Sequence, residues 1–170
     1  RRELVYKIAE AAGMPKPVLK AYERYLETLL IYNCLAGGVG RPFRRKCGIP
    51  QGCPFSMAMV ALIMRPWIMR MRTFIGIQSY ILVDDVLIVA TGKQMIGHFT
   101  NALNATHEYL NRMGARIAPD KSHNFASHPK AKAWLNGVEW EHVKQKIKVE
   151  TDFRYLGANI SNKNSLASAT

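Results

Sequence analysis

Asp84 and Asp85 are the residues of this chain whose type and placement could do chemistry. They stand side by side between two apolar runs, Tyr80-Ile81-Leu82-Val83 and Val86-Leu87-Ile88-Val89-Ala90. The β-branched content of these flanks predicts two strands, and Asp is at home in tight turns. The stretch therefore reads as a β-hairpin with two carboxylates at its tip. Neighbouring side chains on a strand point to opposite faces, whereas a turn can bring them round to one point in space. Two anions held that close repel, and a divalent cation between them relieves the repulsion. The pair is a candidate metal site, although an Asp-Asp pair in a hairpin is also an ordinary polar turn.

A second stretch, Gly48-Ile49-Pro50-Gln51-Gly52-Cys53-Pro54-Phe55-Ser56, precedes a long helical pattern that runs to about Arg72. Its alternating glycines and prolines predict a rigid loop that can bring bare backbone close to a ligand, with Ser56 as N-cap of the helix behind it. Gln51 carries an amide that donates and accepts, so it can contact a base or sugar without adding charge. A helix-entry loop with no ligand is the plainer reading. Just upstream, Arg41, Arg44, Arg45 and Lys46 are placed to hold phosphates, or form a solvated face.

The elements that must position these stretches follow from periodicity. Leu4, Val5, Ile8 and Ala12 predict a helix over Glu3 to Ala12, stopped by Gly13 and Pro15. Val18, Tyr22, Tyr25, Leu26, Leu29 and Leu30 predict a second helix from about Pro17 to Tyr32, before a turn at Gly37-Gly38-Val39-Gly40. A third stripe, Met95, Phe99, Leu103, Leu110 and Met113, predicts a helix over Lys93 to Met113 closed by Gly114. Short strands are predicted at residues 115–117, 124–126, 137–140 and 147–149. Lys144, Lys146 and Lys148 would alternate along one strand face, as a solvated edge or as a track for a duplex backbone. The end, residues 161–170, reads as a disordered tail, and no internal repeat is visible.

The 170 residues, 48% hydrophobic, amount to one folded domain. Lys and Arg number 24 against 12 acidic residues, so the formal charge of +12 points to a polyanionic partner, nucleic acid before a membrane surface. No apolar run approaches the length of a membrane span, and no basic amphipathic helix has a clean apolar face. Cys34, Cys47 and Cys53 are odd in number and lack Cys-x-x-Cys spacing, which argues against a disulfide framework or zinc site and for an intracellular, reducing setting. The scattered histidines, His123 and His128 among them, read as surface or packing residues.

A Gly-x-Pro-Gln-Gly loop opening a helix, followed by an Asp-Asp hairpin, resembles the palm of reverse transcriptases, most closely those of non-LTR retrotransposons and group II introns. Residues 114–122, Gly-Ala-Arg-Ile-Ala-Pro-Asp-Lys-Ser, are similar to the family's segment after the palm helix. Residues 153–157, Phe-Arg-Tyr-Leu-Gly, are similar to its palm-to-thumb hairpin. The four motifs occur in order over about residues 4–160. The resemblance implies an α+β fold, a polymerase palm with a small antiparallel sheet carrying the Asp-Asp hairpin against helices. It implies RNA-directed DNA polymerase activity with Mg²⁺ (or Mn²⁺) on an RNA template, a DNA primer and dNTPs. It makes Asp84 and Asp85 the metal ligands and, with Lys121, the catalytic residues. Gly48, Pro50, Gln51, Gly52, Ser56, Arg44 and Arg45 would bind nucleotide and template.

The chain departs from the family pattern in three places. No aspartate stands upstream of the first helix where the family has one, so residues 1–160 read as a partial domain, palm with part of the fingers, whose catalytic strand belongs to an upstream part of the same polyprotein, or as a decayed copy. Leu82-Val83 replaces the usual Tyr-Ala, and Met57 replaces the proline after the serine. Three other readings stay open: a catalytically silent relative that only binds nucleic acid, an RNA-directed RNA polymerase palm, and a basic structural module whose Asp-Asp is only a turn.

Overall fold

Arg2, Val5 and Ala9 recur at helical spacing and form the buried face of the first helix, α1 (Arg2–Ala11). In the computed structural model, which describes residues 1–161, α1 is followed by α2 (Lys16–Thr28), β1 (Cys34–Leu35), β2 (Gly38–Val39), α3 (Ser56–Met71), β3 (Ile77–Leu82), β4 (Asp85–Ala90) and α4 (Met95–Met113). A single 3₁₀ turn (Pro119–Lys121), β5 (His123–Asn124), α5 (Pro129–Gly137), β6 (Lys148–Val149), β7 (Asp152–Tyr155) and β8 (Ala158–Ser161) complete an α+β chain. It divides into two compact units, residues 1–89 and the rest from Ala90. Most of the expected tail, residues 162–170, lies outside the described residues, and its first residue, Ser161, ends β8.

In the first unit α1 packs on α2 and α3, and α3 packs on β3. The core gathers Val5, Ala9, Leu19, Tyr22, Leu26, Cys53 and Met59. Gly13 ends α1 as expected: at φ +89 it lets the Gly13 and Met14 amides turn back onto Glu10 and Ala9 carbonyls. The second helix is shorter than the expected span to Tyr32, because Leu29 leaves the helical region at ψ 122. Its buried stripe is Leu19, Tyr22 and Leu26, whereas the expected Val18, Tyr25 and Leu30 stay exposed. Apolar periodicity marks a face but does not say which edge of it another helix covers. Residues 36 and 37 take the positive φ values of a tight hairpin turn between β1 and β2.

Ser56 does not cap α3. It is the first helical residue behind Phe55, and its amide donates to the Cys53 carbonyl at 3.0 Å, because the loop already curls into the helix one residue earlier. β3 and β4 pair as a two-stranded sheet.

In the second unit Leu135, Trp140 and Ile147 form the core, with Phe99, Leu103 and Trp134 packed around them. α4 closes on Gly114 at φ +77, as expected, but its fully buried residues are Ala102, Ala105, Thr106 and His107 rather than the larger apolar ones. Residues 115–117 form no strand, and the Ala115 amide turns back to the Leu110 carbonyl of α4 at 2.9 Å instead of joining a ladder. Where a strand was expected at 137–140, α5 ends at Gly137 and only Trp140 makes an isolated bridge, to Gln145. β5 pairs with β6 in parallel, through residues 123–124 and 148–149 alone. The alternating lysine strand does not form, because Lys144 sits in a turn at φ +54 and only Lys148 is in a strand, ion-paired with Glu150. β7 and β8 form an antiparallel hairpin turned by Leu156 and Gly157, both at positive φ.

Candidate functional site

The Gly48–Phe55 loop is held from below at two points. At its start the buried guanidinium of Arg2 donates through Nε to the Gly48 carbonyl at 2.9 Å. Through Nη1 it also reaches the Leu26 carbonyl at 2.9 Å and Glu27 Oε1 at 3.3 Å. Tyr6 donates its hydroxyl to the same Glu27 oxygen at 3.1 Å, and burial, then this carboxylate, push its pKa upward. At the far end Cys53 is buried in the core with its sulfur 3.4 Å from the Tyr22 hydroxyl. Burial, then Cys53, raise the Tyr22 pKa as well.

Between these anchors the backbone turns through Gln51 and Gly52, with the Cys53 amide donating to the Pro50 carbonyl at 3.3 Å. Gly52 sits at φ +81, a conformation that favours glycine, and a Cβ there would meet nothing within 4 Å. The apex is bare backbone open to a ligand, with the Gln51 amide exposed beside it. Ile49 and Pro50 are half-buried, whereas Arg44 and Arg45 lie on the exposed approach to the loop. Phe55 leans on Tyr22 with ring centroids 5.3 Å apart.

Asp84 is the second residue of the two-residue connection between β3 and β4, after Val83 at φ +58, and Asp85 opens β4. A connection this short makes the pair antiparallel. Both carboxylates are exposed. Val83, a β-branched residue in the left-handed region, is a strained position for a side chain of that shape. Leu82 and Val83, 49% and 39% exposed, flank the acids with apolar surface. Among the described residues no group of three or more histidine, cysteine or acidic side chains converges. In type and number, two neighbouring exposed carboxylates are a donor set that a Mg²⁺ ion in an open site can use. That ion accepts one or two carboxylates and fills its remaining positions with water and substrate phosphate oxygens. Lys121, in the second unit, is exposed at the end of the 3₁₀ turn, whose frame is closed by the Ser122 hydroxyl bonding the Ala118 carbonyl at 2.9 Å.

Sequence reasoning missed Arg2, Tyr6 and Tyr22 as loop supports. The available signal was Arg2 itself, a charge sharing the apolar stripe of Val5 and Ala9. It also missed α5, where Pro129 at the first turn and Ala131 and Leu135 four residues apart carried the pattern.

The reverse transcriptase (RNA-dependent DNA polymerase) family model matches residues 3–160, and the chain belongs to that family. Membership implies a nucleic-acid template and primer as partners, and divalent metal is the cofactor general to the family. Comparison with curated proteins finds no match. Comparison with solved structures finds none either. No described helix is long and apolar enough to cross a membrane.

Proposed function

We propose that this chain is the palm region of an RNA-directed DNA polymerase of a non-LTR or group II retroelement, adding dNTPs to a DNA primer on an RNA template. The observation that carries the reading is the pairing, in one compact unit, of two exposed carboxylates at a hairpin tip with a firmly anchored Gly-Ile-Pro-Gln-Gly loop. Helix α3 connects them. Its 16 residues span about 24 Å, and β3, which follows after a short connection and touches it, spans six residues, about 20 Å.

Asp84 and Asp85 would hold Mg²⁺, or Mn²⁺. When bound, such an ion supplies activation of the primer hydroxyl and charge neutralisation on the departing pyrophosphate. The chain's own residues do the rest. Gln51 orients template base or nucleotide through its amide, and Gly48, Pro50 and Gly52 keep the backbone close to it. Ser56 adds a hydroxyl at the start of α3, and Arg44 and Arg45 hold phosphates. Lys121 gives a proton to, or neutralises, the leaving pyrophosphate. Leu82 has no hydroxyl, so it can meet the primer end only by packing.

A second reading, a silent relative that binds template and primer without joining nucleotides, is favoured by the absence of a third converging carboxylate among the described residues. The test is primer extension on poly(rA)·oligo(dT) with Mg²⁺ or Mn²⁺. Extension lost in Asp84→Asn supports the polymerase reading. Salt-sensitive hybrid binding without synthesis supports the silent one, and incorporation of ribonucleotides alone would point to an RNA polymerase.

A further inference from the structure

We infer that Arg2 is a positioning residue for the Pro-Gln-Gly loop, holding it by the carbonyl of Gly48; this rests on the template- and nucleotide-binding role proposed for that loop. The guanidinium is buried, its side chain 5% exposed, yet its one carboxylate partner is half in solvent and lies at 3.3 Å. Its two shortest bonds, at 2.9 Å, go to carbonyls. One of them, on Leu26, belongs to the last turn of α2, where carbonyls lack helical partners and the helix dipole favours a cation. The other, on Gly48, stands at the entrance of the loop, on a residue at φ +74 that redirects the chain.

One planar fork therefore joins the end of a packed helix to the start of the loop. A lysine, with a single ammonium on a flexible stem, cannot span two carbonyls in that fixed geometry. Cys53 pins the other end in the core, so only Ile49 to Gly52 lie between the anchors. With both ends tied, the loop has fewer conformations to lose when it closes on a ligand. Arg2 itself has no proposed contact with substrate and acts through the Gly48 carbonyl.

The test compares Arg2→Lys, Arg2→Gln and Glu27→Gln with the parent chain by amide hydrogen exchange and by steady-state nucleotide addition. Loss of a hydrogen bond to a charged donor predicts about tenfold faster exchange at residues 49–53, the Cys53 amide above all, with the amides of α1, α2 and α3 unchanged. Nucleotide KM should rise by about the same factor while kcat stays within about twofold. Arg2→Lys should fall between Arg2→Gln and the parent, and Glu27→Gln should match the parent, because both carbonyl bonds survive it. Unchanged loop exchange in Arg2→Gln, or exchange rising equally in the three helices, would overturn the inference. If the parent neither adds nucleotide nor binds the RNA·DNA hybrid, the functional reading of the loop fails, while the exchange data still decide whether Arg2 holds it.

Discussion

The two compact units treat their largest buried polar side chains in opposite ways, although Thr106 and Asn124 of the second are hydrogen-bonded. In the first, Arg2 and Tyr22 reach partners, and among those partners are Gly48 and Cys53 of the loop that carries Gln51. In the second, His107 and Trp140 are buried with His107 Nδ1 and Trp140 Nε1 lacking hydrogen-bond partners. Their rings meet edge to face, 6.5 Å apart, with His142 6.1 Å from His107 on another side. A polar group taken out of water must either be paired or stay neutral. The first unit uses pairing, which converts interior polarity into order at the surface. For His107 the second relies on neutrality, and burial, then His142, push its pKa down to about 4. The first unit should therefore be specialised for holding a site, the second for packing that is sensitive to acid.

The largest expected effect breaks the comparison within the first unit. Asp84→Asn should reduce metal-dependent nucleotide addition by about a thousandfold while thermal unfolding stays unchanged, because the exposed side chain supports no core. An unfolding midpoint that fell with activity would return Asp84 to the role of a turn residue. Next, Trp140→Ala should destabilise the second unit by about 3 kcal/mol, through loss of a 2% exposed ring and the cavity it leaves. Exchange protection in α1 to α3 should hardly change.

Acid should separate the units further. The unfolded chain takes up a proton near pH 6.5 that folded His107 accepts only near pH 4. Stability from this residue is thus fully present above pH 6.5 and falls as pH drops toward 4, by about 2 kcal/mol after allowance for relaxation around the ring. Urea unfolding at pH 7 and pH 4.5, followed by exchange in each unit, measures it. His107→Asn should flatten the dependence in the second unit. The smallest effect sharpens the account of the loop. Gly52→Ala meets no clash but forces a side chain to φ +81, at a strain of about 1–2 kcal/mol. It should weaken RNA·DNA hybrid binding and lower the unfolding midpoint of the first unit by several degrees, leaving that of the second unchanged.

The sequence by itself determined the local pieces: the Gly13 and Gly114 helix stops, α3 ending near Arg72, the hairpin containing Asp84 and the Tyr155-Leu156-Gly157 turn. Each depends on residues a few positions apart, through backbone conformations that glycine allows or periodicities that one element must bury. Family membership was legible for the same reason, since its motifs are short and lie in order along the chain. Tertiary structure alone decided which face of each helix is covered, that residues 115–117 find no strand partner, and that Lys144 turns rather than extends. It also decided how the loop is anchored. The bond from Arg2 to Gly48 spans 46 positions, and its existence depends on α1, α2 and the loop meeting in space, which no local preference encodes.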